Sequence, residues 1–286
     1  MKILENPSSK RLIRKLPISV VMVVYNEENV IEEALKSCVR YVDEIVIVHD
    51  GPCQDSTIDI CRKYTNKIYI RKHLGNSESH RPFSFKVAKN NWLLRLDADE
   101  RITEELGNNL SRLISNNKIG IYEMIVPTRY KGRYYDYSIR TLFQKKLVSF
   151  IGAVHENVKP LNEEVIISKT KYKIIHEPKE DSLTSSNYSK KIKGWARAQA
   201  EIYLSDFAII PKWNYLASDW GTFTRLRIQH PIILGMMATS IYHYLFGIRL
   251  YILNGLKEYY LKQGILSAKY YFYVYYFILL GKINEK

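Results

Sequence analysis

Cysteine is scarce in this chain: Cys38, Cys53 and Cys61 are the only three, and none sits in a C-x-x-C pair. An odd count without paired spacing excludes a disulfide framework and a zinc ribbon. Cys38 and Cys61 fall in stretches of helical spacing and read as small buried residues, which points to a reducing compartment. No apolar stretch follows the Lys and Arg residues of the N-terminus, so no signal peptide is expected. Negative charge is also short. There are 29 Asp and Glu against 43 Lys and Arg, a formal net charge of +14. The basic residues are spread along the chain, a balance that favours phosphorylated substrates, anionic lipid or nucleic acid as partners. Finally, the first apolar run is followed by Tyr25-Asn26-Glu27-Glu28. It therefore lacks the G-x-G-x-x-G of a dinucleotide oxidoreductase and the glycine-rich, Arg- and Lys-bearing loop of a sugar nucleotidyltransferase.

What is present describes a globular chain. With 286 residues, 46% hydrophobic and 25% charged, it is long enough for one large domain with an extension. After a basic leader over 1–17, Ile18 to Tyr25 is a β-branched run of the length of a strand buried on both faces. Asn26 to Asn29 places carboxylates where the first turn of a helix favours them, and the helix is expected to run to about Val39. Glu44 to His49 is a second strand, Ser56 a cap for a helix reaching about Tyr64, Lys67 to Ile70 a third strand and Trp92 to Leu96 a fourth. Thr103 opens another helix through Leu106, Leu110, Leu113 and Ile114. This alternation predicts a doubly wound, mostly parallel α/β sheet. Residues 120–176 carry β-rich pieces (Gly120 to Val126, Tyr137 to Phe143, Val165 to Ile175) that suggest a mixed extension of it.

From about 187 the pattern becomes helical and aromatic. Pro231 to Ile248 has no formal charge apart from His243, and Tyr270 to Leu280 has none. Arg249, Lys257, Lys262 and Lys269 lie between them. The length only reaches the lower limit for a membrane span, so helices lying in the membrane interface, basic side toward the head groups, are expected over 187–286. A short hairpin in the membrane and a helical subdomain with a large apolar face are the other two readings.

In a doubly wound sheet, ligands sit at the carboxyl ends of the strands. Three polar clusters fall there: Tyr25-Asn26-Glu27, Asp50-Gly51 and Asp97-Ala98-Asp99-Glu100. Two carboxylates two residues apart can hold a hard divalent cation whose shell is completed by substrate phosphates. An acidic helix cap is the plain alternative. Asp50 can accept from a base or a ribose hydroxyl, Tyr25 can stack on a base, and Arg81 can reach a base carbonyl or phosphate. Together these describe a nucleotide pocket.

The blocks ISVVMVVYNEENVIEEAL, EIVIVHDGPCQDST, RPFSFKVAKNNWLLRLDADE and FIGAVHENV, in that order, resemble family-2 glycosyltransferases with the GT-A fold. They are most similar to the branch of lipopolysaccharide-core, polysaccharide and glycolipid transferases. The likeness covers about residues 17–180. It implies inverting, Mg²⁺- or Mn²⁺-dependent transfer of one sugar from a nucleotide-diphosphate sugar to a glycan, glycolipid or lipid-linked acceptor in cell-surface biosynthesis. It implies that Tyr25, Glu27, Asp50, Arg81, Asp97 and Ala98 bind the nucleotide-sugar, and that Asp99 ligates the metal, with His176 a second candidate ligand. Glu156 is then the expected general base, with His155 as alternative or orienting group. Lys190 and Lys191 are candidates for diphosphate contacts, with surface charge as the plainer account.

The implied halves are a nucleotide-sugar-binding part over 18–115 and an acceptor-side part over 116–186. Two departures stand out: Pro52-Cys53 where the family more usually has Gly-Ser, and His155-Glu156 without a Q-x-x-R-W motif, which argues for single-sugar addition rather than polymer synthesis. The expected setting is the cytoplasmic face of a membrane, held peripherally, with no nucleic-acid partner. A polyprenyl-phosphate sugar transferase and a non-catalytic binding module on a transferase scaffold are the alternatives.

Overall fold

The computed structural model describes residues 15–150, 152, 157–177, 186–205 and 232–284. The first half alternates β1 (Leu16–Val24), α1 (Ile31–Cys38), β2 (Val42–Asp50), α2 (Thr57–Arg62), β3 (Ile68–Arg71), α3 (Arg81–Val87) and β4 (Trp92–Arg95). It continues with β5 (Glu100–Ile102), α4 (Glu104–Ser115), β6 (Ile119–Tyr130), β7 (Arg133–Gln144), β8 (Val148–Ser149), β9 (Lys159–Pro160) and β10 (Ile166–His176). One eight-stranded sheet runs in the order β3-β2-β1-β4-β7-β6-β10-β5. The pairs among β1 to β4 are all parallel, while β7 joins β4 antiparallel. This is an α/β, GT-A-like arrangement: a parallel half with a mixed extension.

Side-chain alternation along the central strands builds two cores. Ile18, Val20, Met22 and Val24 of β1 face α1 and α4, together with Ile45 and Ile47 of β2 and Leu94 of β4. Val21 and Val23 face the other way, with Val46, Val48 and Leu93, and meet Phe85 of α3. A strand with both faces covered needs an unbroken apolar run, which is why β1 reads so plainly in the sequence. Cys38 and Cys61 are wholly buried in the first of these layers, and burial pushes both thiols up to about 12. They are packing residues, not nucleophiles.

β1 lies between β2 and β4, and the chain winds outward to β3 before returning to β4 on the other side. That reversal opens a crevice beyond the carboxyl ends of β1 and β4. The loops there are laced together. Asn26 Oδ1 accepts from Gln54 N at 3.0 Å, Asp55 Oδ2 from Glu28 N at 3.1 Å, Glu28 Oε2 from Ser56 N at 3.0 Å, and Thr57 Oγ1 from Glu27 N at 2.6 Å. Two expectations change here. Glu27 and Glu28 precede α1, whose first-turn carboxylates are Glu32 and Glu33. Ser56 stands at the N-cap of α2 without a side-chain bond, and Asp55 Oδ1 instead accepts from Thr57 N at 2.9 Å. Thr103 does cap α4, accepting from Leu106 N.

In the second half, β6 and β7 are longer than their apolar cores suggest. The turn between them, Lys131-Gly132, has φ of 48° and 72°, the left-handed pair that matches the twist of a two-residue hairpin. β5 pairs antiparallel with the end of β10, setting Glu100 opposite His176.

Beyond the sheet lie α5 (Ser186–Ser205), α6 (Ile232–Leu253) and α7 (Glu258–Asn284). α6 and α7 pack closely where Gly247 meets Gly264; a Cβ on either would stand 2.5 Å from the other's Cα. α5 packs on α7 through Ala196, Ala200, Tyr270, Val274, Tyr275 and Ile278. Among the described residues no helix is long and apolar enough to cross a membrane. A one-sided interfacial helix is not what α6 presents either: Ile241, Tyr242, Tyr244, Leu245 and Phe246 are all exposed, so its apolar surface wraps around the helix.

The lacing makes Asp55 a measurable stability element. Burial raises its carboxyl, but bonds from Thr57 and from the Glu28 amide outweigh this and hold it at about 2, against an ordinary value of 3.8. A depressed carboxylate stabilises the fold above its unfolded pKa and loses that contribution as pH falls through the folded value. Asp55→Ala is therefore expected to cost about 1–2 kcal/mol in urea melts at pH 7. The gap to the parent protein should be full above about pH 4 and close as the pH approaches 2.

Candidate active site

The crevice at the β1/β4 ends is a cavity of about 580 Å³. Its wall includes Tyr25 and Glu27 after β1, Asp50 at the end of β2, and Asp97, Ala98 and Asp99 after β4. The segment from His73 to Glu78 and the α5 residues Lys191 and Trp195 complete it. Of the residues singled out in the sequence, Arg81 stands behind this wall, and His176 stands beside Asp99. His155 and Glu156 lie outside the described residues. So does the side chain of Lys190.

Asp50 is buried and fully engaged. Its Oδ1 accepts from Leu74 N at 2.6 Å and His80 Nε2 at 2.8 Å; its Oδ2 accepts from Gly75 N at 2.9 Å and faces His73 Nδ1 at 3.2 Å. The Arg71 guanidinium donates to His80 Nδ1 at 3.2 Å, which makes Nδ1 the acceptor and places the proton on Nε2, toward Asp50. The His73 Nδ1 hydrogen bond goes to the Asp50 carbonyl, at 3.1 Å, so the carboxylate accepts three hydrogen bonds and Oδ2 keeps room for one more. Oδ2, beside exposed His73, is therefore the oxygen at which a ligand donor can add. His73 also packs against Tyr25, with ring centroids 4.8 Å apart. Gly51 makes this possible: its φ is +91°, and a Cβ there would come 2.8 Å from His73 Cβ.

Asp97 meets a buried cation. Arg81 donates from Nη2 to Asp97 Oδ1 at 2.8 Å, while the Asp97 side chain keeps 40% of its surface open. Burial raises the Asp97 carboxyl, but Arg81 and then Arg95 outweigh it and hold it below the usual carboxylate range. Beneath it, Glu100 accepts from Asp97 N at 2.9 Å. Burial first, and the Asp97 charge second, push Glu100 up to about 7. Arg95 is buried in the same cluster, and the Nε of both arginines has no hydrogen-bond partner.

Asp99 turns the other way. Its Oδ2 lies 3.4 Å from His176 Nε2, and its carbonyl accepts from Glu177 N at 3.0 Å. Burial lowers the His176 imidazole, but its bond to Asp99 outweighs this and raises it. The other ring nitrogen, Nδ1, is buried without a partner. A carboxylate oxygen and an imidazole nitrogen are donors that a divalent cation accepts, and their 3.4 Å separation is wider than the edge of an octahedron, about 3 Å for ligands near 2.1 Å from an ion. Among the described residues no group of three His, Cys, Asp or Glu could hold a metal. A cation held by this pair would need its remaining ligands from a substrate's phosphates and water, the usual manner of Mg²⁺.

Several residues in the wall or behind it were not read from the sequence. His73 and His80 gave no local motif; their role arises only when the chain between β3 and α3 folds back on Asp50. Arg95 did leave a signal, as the one charge inside an otherwise apolar strand, and period-2 alternation places it on the face of Leu93, toward α3. Trp195 carried the spacing of a helix core, yet it reaches the cavity.

Comparisons with known proteins bear on the family of the chain. The chain is 28% identical over 129 residues to an uncharacterized glycosyltransferase of Rickettsia bellii, covering 45% of this chain and 39% of that one. It is 33% identical over 100 residues to a poly(ribitol-phosphate) beta-glucosyltransferase of Bacillus spizizenii, covering 32% and 16%. The chain thus spans about half the length or less of the curated relatives it matches. Among solved structures it is similar to glucosyl-3-phosphoglycerate synthase from Mycobacterium tuberculosis, with a TM-score of 0.45 and 14% identity over 66% of this chain and 78% of that one, a likeness too distant to carry an argument. The sequence model of the family described as "Glycosyl transferase family 2" matches residues 19–174, more than half of the chain and nearly all of the eight-stranded sheet, and the chain belongs to that family.

Proposed function

We propose that this chain is a metal-dependent, inverting glycosyltransferase that moves a single sugar from a nucleotide-diphosphate sugar to a hydroxyl of a glycan, glycolipid or lipid-linked acceptor. The observation that carries the reading is the division of labour within Asp97-Ala98-Asp99. Asp97 is bound to buried Arg81, whereas Asp99 is paired with His176 at 3.4 Å, on the wall of one cavity at the β1/β4 switch. In this reading Tyr25 and Glu27 bind the nucleoside, and Asp50 keeps the wall against which it rests. Arg81 fixes Asp97 toward the ribose and phosphate, and Ala98 is small enough to let the diphosphate approach the loop.

Asp99 and His176 would hold a Mg²⁺ or Mn²⁺ ion, which when bound offsets the negative charge that builds on the departing nucleoside diphosphate. Inversion calls for a base opposite the leaving group, and Glu156, oriented or replaced by His155, is the proposed group. The acceptor proposal draws support from the Bacillus relatives, whose names refer to teichoic acid biosynthesis and to glucosylation of poly(ribitol-phosphate). The same proposal places the chain in the polysaccharide and glycolipid branch of the family. It also places the chain peripherally on the cytoplasmic face of a membrane, through the helical region 187–286.

Asp99→Ala is expected to abolish sugar transfer and Mn²⁺-dependent binding of nucleoside diphosphate, with the melting temperature unchanged because Asp99 is partly exposed and caps no helix. Turnover within about tenfold of the parent in that variant would refute its assignment. A donor panel reading release of UDP or GDP, run with sugar, polyol-phosphate and lipid-phosphate acceptors, separates the hydroxyl acceptor from a polyprenyl-phosphate one.

Tyr25, 43% exposed and resting on His73, provides a second test. Removal of a base-stacking ring is expected to raise the donor KM about tenfold with little change in kcat for Tyr25→Ala, and Tyr25→Phe should restore it. Equal losses in both variants would point to the hydroxyl instead of the ring.

A further inference from the structure

The turn joining α6 to α7 shows its most apolar residues to solvent. Ile252, Leu253 and Leu256 are 61%, 68% and 61% exposed. The backbone there closes α6 in a regular way: Gly255 is left-handed, Gly255 N bonds to Ile252 O at 3.3 Å, and Leu256 N bonds to Tyr251 O at 2.8 Å. In such a helix end the apolar residue after the glycine ordinarily folds back on the last turn. Leu256 does not. It is itself left-handed, with φ of 58°, a conformation disfavoured for a leucine, and its side chain is left in the open.

The charges around this tip are one-sided. Between residues 232 and 284 the chain carries Arg249, Lys257, Lys262, Lys269 and Lys282 against a single acidic residue, Glu258. That carboxylate is already neutralised from the other hairpin: Lys131 Nζ lies at 2.8 Å, and Tyr130 donates its hydroxyl at 3.0 Å. Tyr135 stacks on Tyr259 with centroids 4.2 Å apart, so the β6–β7 turn and the α6–α7 turn meet at one end of the molecule. Tyr134 and Tyr137, both exposed, stand on the β7 side of it.

We propose that this joined tip is a docking surface for an anionic lipid bilayer, entered by Ile252, Leu253 and Leu256 with Lys257, Arg249 and Lys262 at the level of the phosphates. Exposed apolar residues, with an excess of cations beside them in the chain and tyrosines on the adjoining hairpin, match both layers of such a surface: the acyl boundary takes the aliphatic groups, and the anionic head groups take the ammonium and guanidinium groups. No membrane crossing is needed. The contact bears on the cleft mechanically, because α7 is packed on α5, and α5 carries Trp195 and Lys191 into the cavity wall. The proposal rests on the membrane placement above and locates it on named residues. It does not depend on sugar transfer.

The test is co-sedimentation of the full chain with phosphatidylcholine vesicles and with vesicles containing phosphatidylglycerol. Binding is expected to the anionic vesicles only, weakening in about 0.5 M salt. Ile252→Glu with Leu256→Glu should lower the partition coefficient at least about tenfold. Leu256→Gly, which suits the left-handed backbone, should lower it less while keeping the fold. Melting temperature and Mn²⁺-dependent nucleoside diphosphate binding should be unchanged in each. If the parent chain ignores anionic vesicles, the membrane placement itself falls. If the parent binds and the variants bind equally, the tip assignment alone falls. A dimer in solution that Leu256→Glu converts to monomers, without vesicle binding, would assign the surface to a second copy of the chain and overturn the proposal.

Discussion

The cleft depends on one buried carboxylate. The Asp50 carboxylate collects two backbone amides and one buried imidazole, its carbonyl accepts from exposed His73, and these four contacts draw the chain between β3 and α3 over the end of the sheet. Without that anchor, His73 would have no reason to lie on Tyr25, and α3 would not begin where Arg81 points at Asp97. The cost of burying a charge is offset here by donors on every side, which is the condition under which a buried carboxylate is tolerated. Its consequence for binding is indirect. Asp50 shapes the nucleoside wall with three of its carboxylate's acceptor positions, and what it leaves to a ligand is on Oδ2, beside His73.

A second concentration of charge lies below the acidic loop. Arg81, Arg95 and Glu100 are buried within reach of Asp97, and the two guanidinium Nε groups have no partner. Such a cluster is poor as a device for stability, since hydrophobic replacements of ion pairs are often neutral or better. Its effect is on the loop. Glu100 holds the Asp97 amide, Arg81 holds the Asp97 carboxylate, and pairing of β5 with β10 brings His176 to Asp99. The two aspartates are thereby fixed in different directions before any ligand arrives, which is the form that preorganisation takes in a loop of three residues.

The parallel half was legible because β1, β2 and β4 are covered on both faces and so must be continuously apolar. The polar residues that end them mark the cleft without further information. The antiparallel extension was legible in part: its apolar cores were plain, but the full lengths of β6 and β7 follow from the left-handed Lys131-Gly132 turn, whose twist extends the pairing beyond the buried stretch. The loops were read least well. Ser56 has the chemistry of a cap, and Asp55 does the capping, because its second oxygen is also bound to Glu28 across the cleft floor. A choice made by a contact 27 residues away leaves no trace in local spacing. His73, His80 and the pairing of His176 with Asp99 escaped, or stayed open, for the same reason.

The helical region posed a different problem. Its apolar, aromatic composition admitted three readings, and period alone could not choose among them, since α6 is apolar around much of its circumference. What distinguishes one face from another is the neighbours it has gained. Ala196 and Ala200 of α5 cover one side of α7, Gly247 and Gly264 let α6 cover another, and the Tyr130–Lys131 turn covers its first residues. Subtracting these leaves the aliphatic tip and the cations beside it. The same subtraction explains α5: Ala196 and Ala200, four residues apart, pack on α7, while Lys191 and Trp195 line the cleft, Trp195 lying about 100° around the helix from Ala196. One helix therefore serves as wall to the site and as seat for the hairpin, so a displacement of α7 reaches the cavity through a single layer of alanines.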